Sequence, residues 1–390
     1  MRIGVDATCW ANARGYGRFA RELMRALVEH APDDRFICIG DQTSLDAFPL
    51  EAPNVERHVV TLSATPSVAA AADGHRTLAD MFALTRAVYR RRPDVFFSPS
   101  VYTWFPLAPG QRAVVTVHDA IAERFPHLTL PSRRARLFWK LKVGLAIRQA
   151  RLVLTVSDYA AGEIERMLGV PRRRLRVAVE APAAVYEPSA PADIESARRA
   201  WSLGQAPYFV YVGGFNPHKR LDAVIRAHGD VAREAGRVAP HLLLVGRLSG
   251  DVFHGEADRL RTMIAEEGTG HLVQWTGFVP DEDLRHLHSG ATAVVLASES
   301  EGFGLPAVEG AACGTPVIAT RESPLPALLA RGGIFVAPGN AEEIAAAMRA
   351  LLDDPARRRE MGAVAFTQAR ALTWQASAAA THRALREAAA

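Results

Sequence analysis

Short apolar runs alternate with helix-period segments along almost the whole chain, and this alternation restricts its fold more than any composition figure. Arg2–Asp6 is a β-type run, a turn-rich stretch Asn12–Gly17 follows, and Phe19, Leu23 and Leu27 then recur at i, i+4, i+8 with Arg and Glu between them. That is the period of an amphipathic helix. Phe36–Gly40, Asp94–Ser98 and Ala113–Val117 read as buried strands, Arg133–Ala150 as a helix and Leu152–Val156 as another strand. Strands alternating with helices build a parallel sheet with right-handed crossovers. Glu180–Pro191 is rich in Pro and Ala and has no period, so it reads as a linker. The pattern then restarts, with strands expected at Tyr208–Val212, Leu242–Val245, Val273–Thr276, Ala293–Leu296, Val317–Ala319 and Ile334–Val336. The expectation is an α/β protein of two doubly wound domains, 1–185 and 186–370, with a C-terminal helix over 371–390 packing back on the first. Two such domains leave a cleft, and ligands of open α/β sheets bind beyond the strand carboxyl ends.

The 390 residues are 49% hydrophobic and 23% charged, which excludes a disordered chain, a collagen-like repeat and a coiled coil. No apolar run approaches the ~18 residues that span a bilayer. Met1–Asp6 places an acid where a signal peptide would continue its apolar core, so the expected location is cytoplasmic. Cys9, Cys38 and Cys313 are too few and too scattered for a disulfide scaffold or a cysteine-based zinc site. Net charge is +4, but Pro131–Arg176 holds twelve Lys and Arg against three Asp and Glu, a local +9. An anionic membrane face, a phosphorylated substrate and nucleic acid all answer to such a patch; so does a solvated helix face.

The densest signal is Ser298-Glu-Ser-Glu-Gly-Phe-Gly-Leu-Pro-Ala-Val-Glu309. A buried strand ends at Leu296, a loop with Gly302 and Gly304 follows, and Pro306 suits the first turn of a helix, where its missing N–H costs nothing. Gly314 is a candidate C-cap. The amides of Gly304, Leu305 and Ala307 then lie near a helix N-terminus, the place for an anion. Glu301 and Glu309 would flank it at different depths, suiting hydroxyls of a sugar. A second signal is Tyr208–Asp222, where a strand runs into Gly213-Gly214 and then Lys219-Arg220 at a helix start. Cations there oppose the helix dipole unless an anion sits in front. A weaker third is Thr276-Gly-Phe-Val-Pro-Asp281, a strand-to-helix loop with Asp281 as candidate N-cap.

These motifs resemble those of the retaining glycosyltransferase family 4, of GT-B fold with two Rossmann-like domains facing across a cleft. Glu301-Gly-Phe-Gly-Leu-Pro-Ala-Val-Glu309 is similar to its signature. Tyr211–Lys219 resembles its phosphate-binding loop and Thr276–Pro280, with Phe278 and Val279, its nucleotide-base loop. Val117-His118-Asp119 and Val156-Ser157-Asp158 resemble its sugar-contact and acceptor-domain segments. The resemblance implies that Glu309 binds the ribose of a nucleoside diphosphate sugar. Glu301 and the amides of Phe303 and Gly304 hold the donor sugar, with Leu305 in the same turn, and Lys219 neutralises the diphosphate. His118 faces the sugar. Gly214 stands where many members have Arg, and Arg220 or Arg247 is the candidate replacement. The implied acceptor is a glycan or polyprenyl-linked glycan, reached at the inner face of the membrane, and GDP-mannose is the first donor to consider. No cofactor, metal or nucleic acid is implied.

Gly15-Tyr-Gly17-Arg-Phe-Ala20 fits G-x-G-x-x-A, but the dinucleotide fingerprint needs its first glycine directly after the strand, and Asp6 is too far upstream. The resemblance makes Gly15 and Gly17 the family's N-terminal glycine loop, close to donor phosphates and acceptor. Asp119 reads equally as a turn cap. His286 and His288, at i, i+2 on a helix, do not share a face. A hydrolase using paired carboxylates and a non-catalytic nucleotide-sugar binder are the competing readings.

Overall fold

The computed structural model describes residues 1–12, 15–63, 77–130, 132–234, 238–247 and 255–390. Ala13 and Arg14 of the turn-rich stretch, and Pro131 at the start of the basic stretch, lie outside them. The chain divides into two compact units, Met1–Glu180 with Thr373–Ala390, and Ala181–Leu372.

Among the described residues the first unit runs β1 (Arg2–Asp6), α1 (Gly15–His30), β2 (Arg35–Gly40), α2 (Gln42–Ala47), β3 (Val55–Val59), α3 (Leu78–Arg91), β4 (Val95–Ser98), β5 (Ala113–Thr116), α4 (Ile121–Arg124), α5 (Pro126–Thr129), α6 (Arg133–Gln149), β6 (Leu152–Thr155), α7 (Asp158–Leu168) and β7 (Leu175–Val177). The second runs α8 (Pro191–Ala200), β8 (Tyr208–Val212), α9 (Leu221–Glu234), β9 (His241–Val245), α10 (Ala257–Glu266), β10 (Val273–Gly277), α11 (Asp281–Gly290), β11 (Ala293–Leu296), α12 (Leu305–Ala312), β12 (Val317–Thr320), α13 (Leu325–Leu328), β13 (Gly333–Val336), α14 (Ala341–Asp353) and α15 (Pro355–Arg370). Helix α16 (Trp374–Ala389) then belongs to the first unit.

Each unit is a parallel sheet, of order β3-β2-β1-β4-β5-β6-β7 in the first and β10-β9-β8-β11-β12-β13 in the second. Central strands such as β4, β5 and β6 are buried at every position, as expected of strands covered on both faces. The edge strands β3 and β7 were not foreseen, because Val-Glu-Arg-His-Val and Leu-Arg-Val lack a continuous apolar run; an edge strand needs only one neighbour. In each sheet the strand order reverses at one place, between β1 and β4 and between β8 and β11. The loops leaving those strands define the topological switch point, where ligands of this architecture bind.

Right-handed crossovers fix the layers of the first unit. The step β1→β2 runs one way along the sheet, and β3→β4, β5→β6 and β6→β7 run the other, so α1 covers one face and α3, α6 and α7 the opposite one. Helix α16 shares the face of α1. Trp374 lies edge-on to Phe19, with ring centroids 6.0 Å apart, and His382 bonds Asp34 at 2.7 Å. Its end is tied down by Arg176 to Glu387. The boundary between the units, Glu180/Ala181, falls within the Glu180–Pro191 stretch read as a linker; its residues nevertheless pack, with Glu180, Ala181, Ala183 and Tyr186 all buried.

Candidate active site

In the second unit, the loops after β8 and β11 flank the switch point. They are also the two densest sequence signals. The first loop leaves β8 through Gly213, whose amide bonds the carbonyl of Val245 at 3.0 Å, while the Gly246 amide bonds that of Gly277 at 3.0 Å. The carboxyl ends of β8, β9 and β10 are thereby stitched together. Gly246 permits this: a Cβ there would sit 2.0 Å from the Gly213 carbonyl oxygen. Its role was not legible, since it depends on a loop about thirty residues away. The Gly214 carbonyl accepts the Tyr211 hydroxyl.

Lys219 closes a 3-10 turn, Pro217–Lys219, and α9 begins only at Leu221. Between them Arg220 has φ 53° and ψ 36°, a left-handed backbone that a bulky residue adopts only when its surroundings hold it there. Its guanidinium bonds Glu299 and Asp222 and lies against Gly339, where a Cβ would come within 2.5 Å of it. Arg247 takes a different place, over the exposed ring of Phe278 at 5.2 Å. Val279 beside it is buried.

The two loops meet directly. The Glu299 amide donates to the His218 carbonyl at 2.8 Å. Lys219 Nζ donates to Glu301 Oε1 at 2.7 Å, and Ser298 Oγ donates to the same oxygen at 2.6 Å. An ammonium and a carboxylate are therefore paired at the mouth of the sheet, both largely buried. Two cations at a helix start call for an anion in front; in the structure carboxylates 299 and 301 of the opposite loop occupy them.

Beyond Glu301 the chain turns through Phe303 and Gly304 into α12. Gly304 has φ 89° and ψ 42°, and a Cβ there would meet Leu325 at 2.7 Å, so both backbone and space demand glycine. Pro306 lies in the first turn after Leu305. The Ala307 amide lies near the N-terminus but already donates to the Gly304 carbonyl at 3.0 Å. The helix ends at Ala312, and past Cys313 the left-handed Gly314 (φ +82°) closes it as expected, its amide donating to the Ala311 carbonyl at 2.9 Å and the Thr315 amide to that of Gly310 at 3.1 Å. Glu309 is one turn into α12 and 3% exposed. Asp281 is not the cap of α11: Pro280 holds that position, and Asp281 Oδ1 accepts the Tyr186 hydroxyl at 2.9 Å.

The first unit holds the remaining residues. His118 follows β5, buried, with Nε2 3.1 Å from the Pro99 carbonyl just past β4, and Nδ1 3.6 Å from Glu180 Oε1. Phe19 meets its ring edge-on at 4.8 Å. Glu180, at the start of the Pro- and Ala-rich linker, is the partner that sequence reasoning missed. Asp119 caps a turn by accepting the Ile121 amide at 3.0 Å, and Ser157 caps α7. Gly15 and Gly17 stand in the first turn of α1, where a Cβ on Gly17 would lie 2.0 Å from the Asn12 carbonyl oxygen.

Comparison with known proteins bears on the family and the fold. Residues 13–178 match the family model described as Glycosyltransferase Family 4, and residues 193–368 that of Glycosyl transferases group 1. The chain is 29% identical to an O-antigen chain mannosyltransferase B of Escherichia coli over 72% of this chain and 71% of that protein. It is 33% identical to a D-inositol 3-phosphate glycosyltransferase of Frankia alni, over 74% of this chain and 69% of that one. Among solved structures, the Anabaena protein HepE in complex with UDP-glucose superposes with a TM-score of 0.73 at 18% identity, over 98% of this chain and 99% of that chain, a likeness of fold. With family models on both halves, a relative of this identity and the paired loops at the second switch point, the chain belongs to glycosyltransferase family 4, a glycosyltransferase of GT-B fold.

Proposed function

We propose that the protein transfers a hexose, with retention of anomeric configuration and without a metal ion, from a nucleoside diphosphate sugar to a hydroxyl of a glycan or lipid-linked glycan. The observation that carries this reading is the Lys219–Glu301 pair at the switch point of the second unit. There a cation able to take a diphosphate and a carboxylate able to take sugar hydroxyls are held within one hydrogen bond of each other. In the proposal Lys219 moves onto the diphosphate and stabilises the charge that grows on the leaving phosphate. Glu301, with the backbone of Phe303, Gly304 and Leu305, holds the sugar, and Glu309 the ribose. Gly213, Gly214 and Arg220 shape the phosphate loop, and Phe278 and Val279 serve the base. His118 is assigned to the sugar, and Gly15 and Gly17 to the donor phosphates and the acceptor. No protein nucleophile is assigned; the leaving phosphate assists removal of the acceptor proton in an oxocarbenium-like step.

GDP-mannose is the first donor to test, because one relative is named a mannosyltransferase. UDP-glucose is the second, because HepE is in complex with it. A donor at about 100 times its Kd stabilises the fold by about 2.7 kcal/mol, a melting shift of about 5–10 °C. Turnover of the donor that shifts the melt is then followed with and without acceptor, and the product anomer is read by NMR. Release of free sugar regardless of acceptor points to a hydrolase. Binding without turnover points to a non-catalytic binder, and an inverted product removes the retaining assignment.

A further inference from the structure

Helix α6 is apolar on two opposite sides. Its inner side carries Val143 and Ala146 into the core with Trp139 packed behind them. Its outer side exposes Leu137 (60%), Phe138 (63%), Leu141 (55%) and Leu145 (51%). Leu137, Leu141 and Leu145 follow one another at successive turns, with Phe138 alongside. Arg134 and Arg148 continue the stripe at its two ends, which makes it about 20 Å long at 1.5 Å per residue. A helix covering a soluble domain normally turns charged residues outward, so this stripe needs a partner.

The neighbouring α3 lies on the same side of the sheet and repeats the feature, exposing Phe82 and Tyr89. The two helices grip one segment from both sides. Thr85 Oγ1 donates to the Pro106 carbonyl at 2.6 Å, and Gln149 bonds both the amide and the carbonyl of Leu107. Among the described residues of the second unit, only Val238 and Phe278 are comparably exposed large apolar residues. The apolar surface is thus concentrated on one layer of the first unit.

Charge selects the partner. α6 has no Asp or Glu, and Arg133, Arg134, Arg136, Lys140 and Arg148 are all exposed on it; Lys142 alone turns inward, to the Tyr102 carbonyl. The acids of the adjacent α7 are already engaged: Asp158 by the Arg172 side chain, Glu163 by Arg124 and Arg166, and Glu165 by the Arg172 amide. A second copy of the chain meeting this face symmetrically would set these cations against themselves. We infer that the α3–α6 layer docks on the surface of an anionic bilayer, Leu137, Phe138, Leu141 and Leu145 entering the acyl boundary while the surrounding Arg and Lys meet the headgroups. An amphipathic helix lying in the interface plane binds by both contributions. The inference is independent of which donor or acceptor the enzyme uses.

The test is co-sedimentation of the full chain with vesicles of phosphatidylglycerol and phosphatidylethanolamine against phosphatidylcholine alone, without donor. Binding is expected only to the anionic vesicles, falling as salt rises. Each Lys or Arg near such a surface is worth about fivefold, so the combined Arg133→Gln, Arg134→Gln and Arg136→Gln variant is expected to bind about a hundredfold more weakly at low salt. Leu141→Ser with Leu145→Ser is expected to lose at least about tenfold at any salt, with the melting temperature of both variants unchanged because the residues are exposed. Equal partitioning to neutral and anionic vesicles overturns the inference, as does unchanged binding in both variants. A wild-type dimer in sedimentation velocity that the Leu→Ser variant dissolves overturns it too, assigning the face to a second copy.

Discussion

Glu309 is a carboxylate at 3% exposure on a helix otherwise made of small and apolar residues, and burial at that depth is costly unless hydrogen bonds replace the lost water. A hydrogen bond to a charged group is worth roughly 1.5–3 kcal/mol. Glu309→Gln keeps the shape and removes the charge, so donor affinity is expected to fall about ten- to a hundredfold with the fold intact; unchanged affinity by calorimetry removes the ribose assignment. Lys219 has a different task. Its ammonium is paired with Glu301, so a donor gains its contact only by breaking that bond, and the ground state profits less than the transition state. Lys219→Ala is therefore expected to lower kcat by about 10²–10³-fold while Kd changes much less. Activity should survive EDTA. A loss confined to Kd, or turnover that chelation abolishes and Mg²⁺ restores, sinks the metal-free role of this lysine.

Glu123, on α4, shows how one helix sets the chemistry of another. Burial pushes its carboxyl up to about 7; the Trp139 indole on α6, donating at 2.7 Å, opposes the shift and the neighbouring Asp119 charge adds to it. A carboxyl raised in the folded state stabilises the protein fully below its unfolded value near 4.5, and that contribution is lost as pH rises towards 7. The shift corresponds to at most about 3 kcal/mol. Glu123→Gln still accepts the indole N–H and has nothing to titrate. It is expected to raise stability by about 1–3 kcal/mol at pH 8 and to leave it unchanged at pH 4.5. An equal change at both pH values would show a packing effect instead.

What was legible at this scale follows from locality. The helix expected over Arg133–Ala150 is found as α6, Arg133–Gln149, but period alone could not say which of its two apolar stripes faces the core. The loops around Lys219 and Glu301 were legible because glycine and proline stand beside fully buried strands. Gly246 and Glu180 were not, because what they do depends on Gly213 and His118, far away in sequence.

At the scale of the molecule, the first unit is discontinuous in sequence. Helix α16 buries Trp374, Ala378, Thr381, Leu385 and Ala388 on the same face as α1. Loss of one buried Trp costs about 3–5 kcal/mol, so loss of the whole helix exceeds what most domains can spare. A chain ending at Leu372 is expected to keep the cooperative melt of the second unit and to lose that of the first, its residues 1–180 becoming protease-sensitive. Two undisturbed transitions in calorimetry would show that α16 is dispensable.

The discontinuity also orders events on the ribosome. The second unit is one unbroken segment, Ala181–Leu372, and can fold as soon as it leaves the exit tunnel. The first unit waits for its last helix: at about 5–20 residues per second, the 210 residues between Glu180 and Ala390 take about 10–40 s to synthesise. For that interval Phe19 lacks Trp374, and α1 lacks the helix packed beside it. The nascent chain then presents the kind of apolar surface that chaperones recognise, so the half of the enzyme translated first is the half completed last.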